Sequence, residues 1–148
     1  MANIAVVILN YNSWQETLEE AQLVNRTCGI NYEDIIIVDN NSPNNSEKEL
    51  RKNAHKGYIF IESGTNKGYA AGNNIGLKYA YEHGYDYAWI LNNDILIDDN
   101  LLLKKMIEVF EKDDFIAVVN PDIYSPDGHM FNSCLLYTSD AADERSSV

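Results

Sequence analysis

The chain has 148 residues, 11 basic and 23 acidic, which gives a net charge of −12 at neutral pH. Its length, with 45% apolar and 11% aromatic residues, fits one globular domain and excludes a disordered chain. The acidic balance argues against nonspecific nucleic-acid binding and against a polybasic membrane patch, because both need clustered cations. A phosphate ligand stays open, held through backbone amides and a bridging divalent cation. Cys28 and Cys134 have no metal-ligand spacing and form no disulfide framework, so free thiols in a reducing compartment are expected. The apolar run Ile4 to Leu9 is too short to span a bilayer, and no basic segment precedes it as in a signal peptide. The sequence reads as cytoplasmic.

Taken in order, Ile4 to Leu9 is a continuous β-branched run suited to a central parallel strand, and it stops in Asn10-Tyr11-Asn12. Ser13 with Glu16 has the form of a capping box, which predicts a helix from near Trp14 to about Asn25. The second strand, Asp34 to Val38, ends in Asp39-Asn40-Asn41-Ser42-Pro43. Ser46 and Glu49 suggest a second capping box and a short charged helix to about Ala54. Tyr58 to Ile61 is a third strand.

Next comes a glycine-rich stretch, Ser63 to Leu77, in which Gly68, Gly72 and Gly76 recur every four residues. On a helix they share one face and let the backbone approach a sheet or a ligand closely. For Gly76, close packing on the sheet alone and approach to a ligand both stay open. Asn66, Lys67, Gly68 and Asn73, near the loop and first turns, suit a ligand role. The helix should end at Gly84. Tyr87 to Leu91 is a fourth strand that breaks into Asn92-Asn93-Asp94, placing a carboxylate at a strand's carboxyl end. Asp98 or Asp99 can cap a helix from about Asn100 to Glu111, with Leu102, Leu103, Met106, Ile107 and Phe110 as core. Ile116 to Val119 reads as a fifth strand, and residues 122–131 as a strand, a turn and a return strand.

From about Leu135 the chain turns small and polar without apolar periodicity. Residues 135–148 resemble translated sequencing-adapter read-through, or else a frayed tail. The expected organisation is therefore one incomplete domain over 1–134 and an atypical tail over 135–148, with the natural protein longer than this chain.

Alternating strands and helices predict an α/β fold, a mostly parallel sheet with helices on both faces. Three strand ends carry amide- and acid-rich loops, and the glycine-rich segment adds a fourth. Such a site offers hydrogen bonds to a nucleoside and, with Mg²⁺ or Mn²⁺ at Asp94, oxygen ligation to a diphosphate.

At this point four segments resemble successive motifs of glycosyltransferase family 2: residues 7–12, 37–42, 66–73 and 91–94. The rhamnosyltransferase-like branch is the nearest in flavour, and the likeness covers roughly Ile4 to Phe131. It implies a GT-A fold and inverting transfer from a nucleotide-diphosphate sugar to a saccharide or lipid-linked acceptor. Surface polysaccharide is the common product. A cytoplasmic location, or one peripheral to the inner face of the membrane, goes with it. The resemblance assigns nucleotide-sugar binding to Asn10, Tyr11, Asn12, Asp39, Asn41, Asn66, Lys67, Gly68, Gly72, Asn73, Asn92 and Asn93. It assigns a divalent cation, Mg²⁺ or Mn²⁺, to Asp94. Asn92 replaces the first acid of the family's Asp-x-Asp motif, so metal binding rests on Asp94. The carboxylate base belongs to a later motif, and none is identified in this chain.

Three other readings compete. A dinucleotide-binding domain needs glycines after the first strand, where Asn10 to Ser13 has none. A receiver-like domain needs an acidic pair there and a lysine after the last strand, and neither is present. A noncatalytic nucleotide-sugar-binding or interaction module fits the missing base.

Overall fold

A computed structural model describes residues 2–132. They divide into two compact units, one running to Asp98 and the other starting at Asp99.

In the first unit four strands form one parallel sheet in the order β3-β2-β1-β4. These are β1 (Ile4–Asn10), β2 (Ile35–Asp39), β3 (Ile59–Glu62) and β4 (Tyr87–Leu91). Val6, Val7, Ile8, Ile36, Ile37 and Val38 are fully buried, as expected of inner parallel strands covered on both faces. The register aligns Asn10 with Asp39 and Ile8 with Leu91, so the three polar strand ends reach the same edge.

Three helices connect the strands: α1 (Trp14–Cys28), α2 (Ser46–Asn53) and α3 (Tyr69–Glu82). The chain steps from β1 through β2 to β3 and then returns past both to β4. Right-handed crossovers therefore place α1 and α2 on one face and α3 on the other. Consistently, α1 packs on β1 and against α2, while α3 packs on β1, β2 and β4.

The second unit contains α4 (Leu102–Phe110) and an antiparallel pair, β5 (Ile123–Tyr124) and β6 (Met130–Asn132). Asp99 accepts a hydrogen bond from the Leu101 N–H at 2.8 Å and pairs with Lys105 at 2.6 Å.

Several local expectations change. Helix α1 runs to Cys28 and ends on Gly29 in the left-handed region (φ 70°), three residues beyond the expected stop. Neither Ser13 nor Ser46 makes a side-chain capping bond, and Asn45 is the N-cap of α2. Of the α4 apolar residues expected in a core, Leu103 alone is buried. Residues 116–119 form no strand, and Val118 is exposed. A β-branched run becomes a strand only against a partner and a packed face. The tail beyond residue 132, with Cys134, lies outside the described residues.

The glycine stripe makes close packing of α3 possible. A Cβ at Gly72 would stand 2.5 Å from a Leu9 methyl, and one at Gly76 2.4 Å from a Val7 methyl. Alanine gains about 1 kcal/mol of helix propensity over glycine, while overpacking a core costs roughly 1–3 kcal/mol. The Leu9 methyl is the far end of a flexible side chain, whereas Val7 is β-branched and fully buried. Chemical denaturation should therefore find Gly76→Ala destabilised by about 1 kcal/mol or more and Gly72→Ala nearer neutral. Equal, negligible effects would show that α3 stands further from the sheet.

Candidate functional site

The carboxyl edge of the sheet carries two polar layers, one buried and one exposed. The buried layer is a hydrogen-bonded chain joining three strand ends. Asn10, fully buried, donates from Nδ2 to Asp39 Oδ1 at 2.7 Å and accepts at Oδ1 from Thr17 Oγ1 at 2.8 Å. Asn93 Nδ2 donates to Thr17 Oγ1 at 2.9 Å and to Ser13 Oγ at 2.8 Å, which ties the end of β4 to the start of α1. On the other side, Ser42 donates from Oγ to Asp39 Oδ1 at 2.7 Å and from its N–H to Oδ2 at 3.0 Å. Ser42 Oγ in turn accepts from the Asn12 N–H at 2.9 Å. Asp39 is buried with both oxygens engaged, so its charge is taken up by the loops that it orders.

This network explains two backbone angles. Asn12 (φ 61°) and Asn41 (φ 57°) lie in the left-handed region and are the only described non-glycine residues with positive φ. Asparagine tolerates that region better than most residues, and such angles persist where surrounding bonds determine them. Here Ser42 and Asp39 supply those bonds.

The glycine-rich loop is attached to the same edge. Asn40 Nδ2 donates to Asn66 Oδ1 at 3.2 Å and to the Gly68 carbonyl at 3.4 Å, while Asn66 Oδ1 also accepts from the Gly68 N–H at 2.9 Å. Gly68 has φ 93°, a value that a side chain would strain. Asn73 Nδ2 donates to the Tyr69 carbonyl at 3.1 Å. Both amides are buried, and neither Asn40 Oδ1 nor Asn73 Oδ1 has a hydrogen-bond partner. Gly72 packs beside the first of these, since a Cβ there would meet the Asn40 side chain at 3.3 Å.

The exposed layer comprises Tyr11, Asn12, Asn41, Asn66, Lys67, Gly68, Tyr69, Asn92 and Asp94. Tyr69 OH donates to Asn92 Oδ1 at 2.7 Å, so the amide in the first position of the Asn-Asn-Asp turn is already engaged. Lys67 has no ion-pair partner among the described residues. Asp94 presents an exposed carboxylate. Of the sequence-predicted residues, Asn10, Asp39, Asn73 and Gly72 fall in the buried layer. Asn93 is half-buried and belongs to the network. The others form the rim.

Sequence reasoning missed Thr17, Ser42, Asn40 and Glu20. Thr17 and Glu20 lie on the buried face of α1, where a polar residue amid Ala21 and Val24 is itself a signal. Glu20 is 4% exposed, and its Oε1 has no partner. Burial, with the negative charge of Asp94 adding to it, raises its carboxyl to about 7.

With this geometry in place, the comparisons identify the lineage. The glycosyl transferase family 2 model matches residues 5–139, and the chain belongs to that family. It is 26% identical over 128 residues to the low-salt glycan biosynthesis hexosyltransferase Agl10 of Haloferax volcanii, covering 85% of this chain and 38% of that protein. It is 30% identical over 128 residues to the poly-beta-1,6-N-acetyl-D-glucosamine synthase of Staphylococcus aureus, covering 83% of this chain and 29% of that one. The chain thus spans well under half the length of these curated relatives.

Among solved structures it resembles the mannosyltransferase PcManGT of Pyrobaculum calidifontis in complex with GDP-Man and Mn²⁺. The TM-score is 0.68 at 16% identity, over 84% of this chain and 36% of that one. It also resembles S. aureus TarS 1–349 in complex with UDP-GlcNAc, with a TM-score of 0.59 at 16% identity, over 85% and 41% of the two chains. The fold is GT-A, as the parallel sheet and its helices expected.

The Glu20 carboxyl sets a pH dependence. Folded Glu20 keeps its proton up to about 7, whereas the unfolded chain releases it near 4.5. The folded state therefore binds more protons between these values, and stability falls as pH rises through them, by ~3 kcal/mol in all. Glu20→Gln removes this loss. Without divalent cations, its stability relative to the parent should rise from pH 4.5 to pH 8 in denaturant titrations. A constant difference would place Glu20 in contact with water.

Proposed function

We propose that this family 2 chain forms the donor-binding part of an inverting glycosyltransferase. It would take a nucleotide-diphosphate sugar and direct the sugar to an acceptor hydroxyl on a saccharide or lipid-linked glycan. The observation that carries the reading is the convergence of four polar loops on one sheet edge, with Asp94 exposed among them. The rim amides suit the ribose and base, and Lys67 suits a phosphate. The donor chemistry of the two structural neighbours, GDP-Man with Mn²⁺ and UDP-GlcNAc, supports the substrate class.

The residues present fit a divalent cation of the Mg²⁺ or Mn²⁺ type. Among the described residues there is no cluster of three or more His, Cys, Asp or Glu, so no all-protein cage exists. One exposed carboxylate with an open approach is what a cation needs when substrate phosphates and water complete its shell. When bound, such an ion would neutralise the charge that develops on a departing diphosphate. Asp94 would hold the ion and Asn93, anchored on α1, would fix the turn. Asn66 to Asn73 would close over the donor. A role in cell-surface polysaccharide synthesis, of the rhamnosyltransferase-like kind, is the setting we favour. It goes with a cytoplasmic location, peripheral to the inner face of the membrane. No helix among the described residues is long and apolar enough to cross a bilayer.

A second reading keeps the donor pocket and drops the chemistry: a noncatalytic nucleotide-sugar-binding fragment or interaction module. It is favoured by the sequence, in which no carboxylate base is identified, and Asp99 is engaged with Lys105 and the Leu101 N–H. Activity in a chain extended to the full gene separates the two.

Calorimetric titration with UDP, dTDP and GDP, with Mn²⁺ and again with chelator, tests the shared part. One nucleotide should bind in a cation-dependent manner, and Asp94→Ala should weaken that binding by about tenfold or more, the scale of one lost charge-assisted contact. The melting temperature should barely move, because Asp94 is exposed. Unchanged cation-dependent affinity in Asp94→Ala would refute the metal assignment.

A further inference from the structure

Asn40, the first residue after β2, is buried, and its bonds run in two directions. Its N–H donates to the Asn10 carbonyl at 2.8 Å, which fixes its backbone to the end of β1. Its Nδ2 reaches the other way, to Asn66 Oδ1 at 3.2 Å and to the Gly68 carbonyl at 3.4 Å. These acceptors belong to the residues on either side of Lys67. Backbone donors settle the direction of the amide. Asn66 presents its oxygen, because that atom accepts from the Gly68 N–H at 2.9 Å, and the Gly68 carbonyl accepts from the Gly72 N–H at 3.1 Å. Turned over, the Asn40 amide would set its oxygen against two acceptors. As placed, it gives Nδ2 to the loop and leaves Oδ1 buried without a partner, which costs stability. Both acceptors keep their backbone donors without Asn40, so folding alone would favour an apolar side chain of the same shape.

Resting on the donor-site reading above, we infer that Asn40 is a positioning residue for the donor's phosphates. Buried as it is, it acts by holding Asn66 and Gly68, and with them the Lys67 backbone, to the end of β2. Lys67 is exposed and has no ion-pair partner among the described residues. A lysine already fixed at its backbone has less freedom to lose when it meets a phosphate, so part of the ordering precedes binding. The local sequence makes such a clasp necessary. Gly64 (φ 72°) and Gly68 (φ 93°) both have left-handed backbone, and Thr65, Asn66 and Lys67 between them are exposed. A loop flanked by two glycines keeps wide conformational freedom unless something fixes it. Gly72 leaves the room that the clasp needs, since a Cβ there would stand 3.3 Å from Asn40 Cγ.

The test uses the complete chain and two readouts. Asn40→Leu removes the amide and keeps much of its shape, and Asn40→Ala is the smaller alternative should leucine not fit. Nuclear magnetic resonance relaxation of the ligand-free chain should give backbone order parameters at Asn66, Lys67 and Gly68 of about 0.85 in the parent and below about 0.6 in the Asn40 variants. Those of β2 should stay at the parent value. Calorimetry with UDP, dTDP and GDP, each with Mn²⁺, then compares the parent, Asn40→Leu, Lys67→Met and the double variant. For the nucleotide that binds, each single variant should weaken affinity at least fivefold. The double variant should lose clearly less than the product of the two, because Asn40 acts through Lys67. An ordered loop in both Asn40 variants, or a loosened loop with parent affinity, overturns the positioning role while the donor site stands. Losses that multiply also overturn it, since Asn40 would then act independently of Lys67. No binding of any of the three nucleotides by the parent overturns the donor-site reading, and this inference with it.

Discussion

The buried hydrogen bond from Asn10 to Asp39 is the contact on which the site depends. It joins the ends of two adjacent parallel strands where both would otherwise finish in unpaired polar groups. A hydrogen bond to a charged group contributes about 1.5–3 kcal/mol, but leaving Asp39 buried and unpaired would cost more than the bond itself contributes. The consequence is geometric as much as energetic. With Asp39 saturated by Asn10 and Ser42, the loops after β1 and β2 are fixed to one another, and both carry an asparagine in a conformation that a free loop would seldom hold. Asn93 extends the same network to β4 through Thr17.

That network separates two jobs which look alike in the sequence. Asn10 and Asp39 are buried and support the loops; Tyr11, Asn12, Asn41 and Asp94 are exposed and face outward. The rim is rich in amides, on a strongly acidic chain. Asp94 is the exposed carboxylate among them. The chain belongs to glycosyl transferase family 2 and has the GT-A fold.

Much of the fold was legible because parallel strands advertise themselves as apolar runs and the glycines of α3 repeat at the helical period. The strand-end loops could be read for a similar reason: Asn92-Asn93-Asp94 interrupts an apolar run with groups that have no place inside a sheet. What escaped was whatever depends on distant partners. Thr17 looks like any residue of an amphipathic helix until Asn93, 76 positions on, is seen to bond to it. Glu20 reads as one more surface acid in a chain full of them. Ser13 has the sequence form of a cap, yet its hydroxyl donates to the Tyr11 carbonyl and accepts from Asn93. Residues 116–119 have strand composition but find no strand partner among the described residues. Local pattern specifies an element only where the tertiary structure gives it a neighbour.

The central claim is that the loops at residues 10–12, 39–42, 66–73 and 92–94 surround one nucleotide and one cation. The most direct measurement is paramagnetic broadening in nuclear magnetic resonance spectra of the isotopically labelled chain, with Mn²⁺ and a nucleoside diphosphate added. Amides of Asn93 and Asp94 should broaden first, followed by those of the other three loops, with little change along the acidic stretch at 111–114. Broadening centred on that stretch, or spread evenly over the acidic surface, would contradict the account.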